Sequence, residues 1–213
     1  FPKMVLPLVV MQTESIQLID EAMAKDRIIG LLVSKKAERV NTQSEKDLAK
    51  IGTSALILKM AKTGDNRAQL LVQGISRFRV NRFIKGKAYL RAQIEKIETE
   101  EKMDKEIEAL MSNLIGQFSK VVELSPGLPS EMAQMAGSIQ EAGTLADMVA
   151  STLNTSAEEK QKILETENIK KRLKEVTRMV SHQLEILELG NKIQSQVKGD
   201  MDKKQREYYL RQQ

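Results

Sequence analysis

Hydrophobic and polar residues follow two different periods along the chain, and the change falls near residue 100. Before it, short apolar runs are separated by turn-forming residues, a pattern typical of strands. The clearest run is residues 89–97, where Leu90, Ala92 and Ile94 alternate with polar residues as in a half-buried strand. The other predicted strands are residues 4–11, 28–34, 54–60, 68–72 and 78–80.

Two local signals organise these strands. Residues 63–66, Thr-Gly-Asp-Asn, tolerate positive φ and predict a hairpin between the third and fourth runs. Ile16, Ile19 and Met23 share one helical face, and Thr13 or Ser15 can cap that helix. We therefore expect an antiparallel sheet with one or two helices.

After residue 100 the apolar positions recur at helical spacing. Ile107, Leu110, Leu114 and Phe118 predict a helix over about residues 104–124. The Ser-Pro-Gly-Leu-Pro sequence at 125–129 ends it, because neither proline supplies the donor that a helix needs. A further helix is capped by Ser130, and its stripe is Met132, Met135, Ile139, Ala142 and Val149.

From Ala157 the chain can stay helical to its end, starting from a capping box formed by Ser156 and Glu159. A seam close to that of a coiled coil follows, made of Ile169, Leu173, Val176, Val180, Leu184 and Leu187. This seam either pairs subunits or folds back on its own bundle. A second stripe continues on a rotated face through Ile186, Leu189, Ile193, Val197 and Met201. We expect a helix of roughly 50 Å that projects beyond its bundle, with a bend at Gly199–Asp200.

The predicted fold class is α+β, in three parts. Residues 1–100 form an antiparallel β-rich subdomain, residues 101–155 a helical bundle, and residues 156–213 a long helix.

Composition narrows the candidate chemistry. The chain has no Cys, which excludes disulfides and thiolate catalysis. Aromatic residues make up only 3% of the chain, whereas there are 11 Met. We therefore expect Leu, Ile, Val and Met to fill the hydrophobic core. Met132, Met135 and Met179 lie on or beside helical stripes and are interpreted as core. Met4, Met60 and Met201 lie near element ends, and their flexible thioethers are our candidates for contacting unfolded chains.

Motifs for enzymatic chemistry are absent from the sequence. It contains neither a Walker A pattern nor a nucleophile elbow. The one histidine, His182, has no neighbouring His or Cys and is interpreted as a surface residue. We predict no catalytic, cofactor-binding or metal-binding residue in this chain.

Two basic stretches raise the question of whether the chain binds nucleic acid. Arg77, Arg79, Arg82, Lys85, Lys87 and Arg91 form the first, and Lys170, Lys171, Arg172, Lys174 and Arg178 the second. Phosphate contact is one interpretation and solvated faces are the other. The net charge of +5 is small, and Glu165, Glu167 and Glu175 offset the helical cluster. We expect at most a weak contact with DNA.

Several segments, in this order, resemble the amino-terminal region of bacterial Lon proteases. They are residues 1–8 (FPKMVLPL), 16–23, 51–53 with 57–60, 70–77, 145–147, 159–165 with 172–173, and 205–212 (QREYYLRQ). Val72, Gly74 and Arg77 match a Val-x-Gly-x-x-Arg signature in that family. The resemblance covers essentially the whole chain.

The resemblance implies a PUA-like β-rich subdomain, a helical bundle and a long helix that leads toward an ATPase ring. In that family six subunits assemble, ATP and Mg²⁺ drive substrate threading, and a Ser-Lys dyad cuts the chain. The amino-terminal part selects unfolded, damaged or degron-bearing proteins in the bacterial cytoplasm and supports assembly. The family's strand ahead of Phe1, its Walker motifs and its catalytic pair are missing here, so we expect no catalysis by this part. A free-standing adaptor that shares the β-rich subdomain is the alternative.

Overall fold

The computed structural model describes residues 1–35, 45–63, 67–99 and 102–212. Its first part is an antiparallel sheet with one helix. The elements are β1 (Val5–Val10), α1 (Thr13–Met23), β2 (Ile28–Leu31), β3 (Ile51–Thr63), β4 (Arg67–Ile84) and β5 (Arg91–Lys96), with one turn of 3₁₀ helix at Glu45–Asp47.

Strand β4 is the centre of the sheet. The strand order is β1-β4-β3-β2, and β5 pairs with the second half of β4. The two separate strands predicted at 68–72 and 78–80 are therefore one strand of 18 residues. It stays extended because β1 and β3 pair with its first half, while β5 takes over along its second half. The predicted β3–β4 hairpin is confirmed by the Thr63–Arg67 pair, although residues 64–66 lie outside the described residues.

Two glycines allow neighbouring backbones to approach the sheet closely. A Cβ on Gly74 would lie 2.1 Å from the carbonyl oxygen of Phe1, whose segment bonds to Gly74 through Lys3 and Met4. A Cβ on Gly52 would lie 2.3 Å from the carbonyl oxygen of Leu31. Both glycines are required because any side chain would collide with backbone.

Helix α1 covers one face of the sheet and forms a first hydrophobic core. Ile19 packs there against apolar residues of four strands, and the buried members of this core are Ile19, Ile29, Ala55, Ile57, Leu70 and Val72. The predicted caps Thr13 and Ser15 both lie inside α1, whose N-cap is Gln12.

The second part is helical and has its own core. Its helices are α2 (Lys105–Leu124), α3 (Glu131–Ser138), α4 (Ala142–Thr152), α5 (Ala157–Glu165) and α6 (Ile169–Gln212). Side chains cap the N-termini of two of these helices. Asp104 accepts a hydrogen bond from the Ile107 amide at the start of α2, and Ser156 accepts one from the Glu159 amide at the start of α5. The predicted α+β class is confirmed.

Two predicted helices are each divided in two. The stripe that runs from Met132 to Val149 breaks at Ile139, which is extended, just after Gly137 and Ser138. The Ser138 hydroxyl donates to the Met135 carbonyl, a local bond that competes with helix continuation. Met135, predicted to be core, is exposed because its short helix leaves it outside the packed face.

The helix predicted to run on from Ala157 stops at Glu165, because Thr166 is extended. Asn168 then accepts a hydrogen bond from the Lys171 amide, 2.9 Å away, and caps α6. Helix α6 is 44 residues long and continues through Gly199–Asp200, where we expected a bend.

The first part of the α6 seam folds back on its own bundle. Leu173, Val176 and Val180 are fully buried with residues of α2 and α4, while Leu184 and Leu187 pack at the edge of that core. The second stripe behaves differently. Ile186, Leu189, Ile193, Val197 and Met201 are all exposed.

Candidate functional site

A buried ion pair joins the sheet to the helical part. Arg77 on β4 and Asp147 on α4 are 5% and 2% exposed. The two guanidinium Nη atoms donate to the two carboxylate oxygens at 2.7 and 2.6 Å. This two-pronged geometry suits the planar arginine fork and is stronger than a single contact.

Arg172, near the start of α6, is the third member of this junction. Its Nη1 lies 3.7 Å from Oδ1 of Asp147, and its Nε donates to the Thr166 carbonyl at 2.7 Å. Arg77 in turn donates from Nε to the Leu164 carbonyl at 2.9 Å. Both guanidinium groups therefore satisfy carbonyls that the end of α5 leaves without helical partners.

The junction brings together three segments that carried the family resemblance. Arg77 ends the Val-x-Gly-x-x-Arg signature, Asp147 ends the 145–147 segment and Arg172 opens the 172–173 segment. Arg77 and Arg172 were both interpreted as members of basic surface stretches, which is wrong for these two residues because they are buried against Asp147. The cluster is inaccessible to solvent and links β4 to α4 and α6.

We predict that Arg77→Met lowers the free energy of unfolding by about 3–5 kcal/mol, because it leaves a buried carboxylate without its main partner. The matched control is Arg79→Met, since Arg79 pairs with Glu167 on the surface. Losing that pair should cost no more than about 1 kcal/mol. Urea unfolding followed by circular dichroism measures both, and equal losses would contradict a structural role for the junction.

A groove lined by both apolar and charged side chains lies on the sheet part, between α1, β2 and the β4–β5 hairpin. Its volume is about 1240 Å³. Met11, Ile28 and Ile94 line it and are 60%, 45% and 47% exposed. Phe78, which is buried, also lines the groove. Exposed apolar side chains on one concave surface, with charged side chains around them, make this groove a candidate binding surface.

A polar clasp links α1 to the β4–β5 hairpin at this groove. Lys87 forms an ion pair with Glu21, and the Tyr89 hydroxyl donates to the same carboxylate at 2.6 Å. The Lys87 ammonium also lies 5.4 Å from the centre of the Tyr89 ring. The hydrogen bond from Lys87 lowers the pKa of Glu21 below its ordinary value of 4.5, and the hydrogen bond from Tyr89 acts in the same direction. The same bond to Glu21 raises the pKa of Lys87.

The clasp is therefore expected to hold above the ordinary pKa of a glutamate and to be lost as pH falls through the lowered pKa of Glu21. We predict that a carbon-detected NMR titration of the Glu21 carboxyl gives a midpoint below 4.5. In Lys87→Met the midpoint should rise, because the largest cause of the shift is gone. A midpoint that is the same in both proteins would contradict the clasp.

The three methionines proposed for substrate contact do not meet at one place. Met4 is half-buried against the helical core, and Met60 is half-buried against the core of the sheet. Met201 is 66% exposed on α6. That these three methionines contact substrate stays a prediction. The groove residues Met11 and Ile28 were missed, because their proximity to the β4–β5 hairpin arises only in the folded chain.

Carboxylates pair with several side chains of both basic stretches, including Arg79 and Lys87 of the first. Lys170 contacts Asp104 and Glu106, and Lys174 contacts Glu106. The Lys170 hydrogen bond is the largest cause that lowers the pKa of both carboxyls. Such pairing reduces the positive charge that phosphate would meet.

Across residues 1–35, 45–63, 67–99 and 102–212, no three His, Cys, Asp or Glu side chains are grouped as a metal site. In the same part of the chain, no helix combines the length and apolar character needed to cross a membrane.

The fold defines a class: a β-rich head fixed to a helical bundle with a long last helix. Two solved structures share it. They are the N-terminal domain of a Mycobacterium avium complex Lon protease (TM-score 0.69, 20% identity, 84% of this chain and 91% of that chain) and a Lon N-terminal domain protein from Xanthomonas campestris (0.58, 17%, 82% and 89%).

Sequence comparison identifies the family to which the chain belongs. The model of the ATP-dependent protease La (LON) substrate-binding domain matches residues 1–182, and the chain belongs to this family. It is 54% identical to the Lon proteases of Desulfosudis oleivorans and Syntrophus aciditrophicus over its whole length. The chain spans 26% and 27% of those relatives. The predicted family is confirmed.

Proposed function

We propose that the chain recognises substrates for an ATP-dependent serine protease of the Lon type in the bacterial cytoplasm. It would bind unfolded, damaged or degron-bearing proteins and hand them to ATPase and protease parts that lie outside these residues. ATP, Mg²⁺ and a Ser-Lys dyad would act in those parts, and this chain would take part without catalysis. The observation that carries the proposal is the groove with exposed Met11, Ile28 and Ile94 on a domain of the substrate-binding family.

The physical basis of selection is the state of the substrate. A native protein buries most of its large apolar side chains, whereas an unfolded one presents them to any apolar surface. A groove whose own apolar residues are half exposed gains free energy only from a partner in the second state. The groove would therefore sort chains by folding state with little dependence on sequence.

We predict that the chain binds a permanently unfolded protein, such as a reduced and carboxymethylated one, at least ~tenfold more tightly than its native form. Fluorescence anisotropy with each form labelled once measures the two dissociation constants. Equal affinity for both forms, or binding to neither, would contradict the proposal. Either result is what we expect if the chain is a free-standing adaptor that does not recognise substrates.

Self-association in a homohexamer is part of the same proposal. The second α6 stripe supports it, because this face is apolar and exposed over several helical turns. We predict that Leu189→Asp reduces the sedimentation coefficient of any oligomer at high concentration, because it places a charge within the apolar face. Glu188→Gln, a neighbouring change outside the stripe, is the control. A sedimentation coefficient equal to that of a monomer at every concentration would contradict self-association through this chain alone.

The proposal includes at most a weak contact with DNA, because carboxylates of the same chain pair with Arg79, Lys87, Lys170 and Lys174.

A further inference from the structure

Two buried polar atoms have no hydrogen-bond partner among the residues that the structure describes. They are Oγ1 of Thr53, on β3, and Oε1 of Gln161, on α5. Thr53 as a whole is only 5% exposed. A buried hydroxyl or amide oxygen without a partner costs free energy, so native proteins nearly always supply one.

The side chain of Gln161 reaches from α5 to the end of β3. Its Nε2 donates to the Ile51 carbonyl at 3.0 Å and to Oε1 of Glu165 at 2.8 Å. Both of these partners are acceptors, so exchanging the nitrogen and the oxygen of the amide would place oxygen against oxygen. The orientation of the amide is therefore fixed, and Oε1 of Gln161 is an acceptor that needs a donor.

Thr53 lies beside the point where Gln161 meets the sheet. Residues two apart on a strand project from the same face, so the Thr53 side chain is next to that of Ile51, whose carbonyl holds Gln161. Thr53 also pairs with Arg77 across β3 and β4, which puts these two side chains on one face of the sheet. Thr53 and Gln161 thus approach each other where β3 contacts α5.

One water molecule can satisfy both atoms. They do not bond to each other directly, although a hydroxyl can donate and an amide oxygen can accept. A water would donate to Gln161 and either accept from or donate to Thr53. Arg77 offers a third group, because Asp147 and Leu164 take three of its five N–H groups and the others can donate. Buried waters have about three such partners.

We infer that one water molecule is buried between β3 and α5, bonded to Oγ1 of Thr53 and Oε1 of Gln161. It joins the sheet part to the helical part beside the junction of Arg77 and Asp147. A water held by groups from both parts is as much a piece of the contact as a side chain is. The inference is independent of the proposed function, because it concerns the interior of the chain and no surface that would meet substrate.

The first test removes the Thr53 hydroxyl and keeps the shape of the side chain. In Thr53→Val we expect the folding equilibrium constant to fall about fivefold, because a hydrogen bond to the water is lost. Thr63→Val, at the exposed end of the same strand, is the matched control and should change the constant by no more than about twofold. Urea unfolding followed by circular dichroism measures both variants.

The direction of the change is decisive. If the Thr53 hydroxyl had no partner in solution, replacing it by a methyl group would leave the equilibrium constant unchanged or raise it, since an unsatisfied polar atom is removed. Either of those results would overturn the inference.

A crystal structure of the wild-type chain, at a resolution that shows ordered water, is the second test. We expect electron density for one water within about 3.2 Å of both Thr53 Oγ1 and Gln161 Oε1. A direct bond between the two side chains, or no such density, would overturn the water even if Thr53→Val is less stable than the wild type.

Discussion

The arrangement of the two parts depends on the buried contact between Arg77 and Asp147. A guanidinium and a carboxylate removed from water are costly unless each is paired and hydrogen-bonded. Here the arginine fork meets both carboxylate oxygens, and its remaining Nε–H is used by the Leu164 carbonyl. Sliding one part on the other would break all three of these hydrogen bonds at once. Arg172 adds a second positive charge near the same carboxylate.

Each part keeps its own hydrophobic core and its own exposed surface. The sheet keeps its own hydrophobic core and an open groove between α1 and its two end strands. The helices keep a second core, from which α6 extends with an exposed apolar stripe. In the account proposed above, the sheet part receives substrate and the helical part serves assembly. The junction is buried between the two parts, and the Gln161–Ile51 and Arg79–Glu167 contacts also join them.

Much of the fold could be predicted from local sequence. The spacing of Ile107 and Phe118 marked α2, because this helix buries one face against the core. The alternation around Leu90 marked β5, although Leu90 and Ile94 stay exposed on the sheet. The break before α6 was missed, although Thr166 and Asn168 are residue types that end and start helices. The apolar seam that begins at Ile169 favoured one uninterrupted helix, and this prediction passed over the local signal.

The junction and the groove were harder to predict, because each depends on contacts between distant residues. Arg172 lies among lysines and gives no sign that it is buried, since the acceptor at Asp147 belongs to another helix. Met11 and Leu90 line one groove through the sheet topology, which no local pattern encodes.

The most direct test of the account is hydrogen–deuterium exchange of the chain with and without an unfolded protein. We predict slower exchange of the backbone amides of β2 and of residues 83–94, with α2 and α4 unchanged. Protection confined to α6, with none at β2 or the hairpin, would contradict a substrate site in the groove.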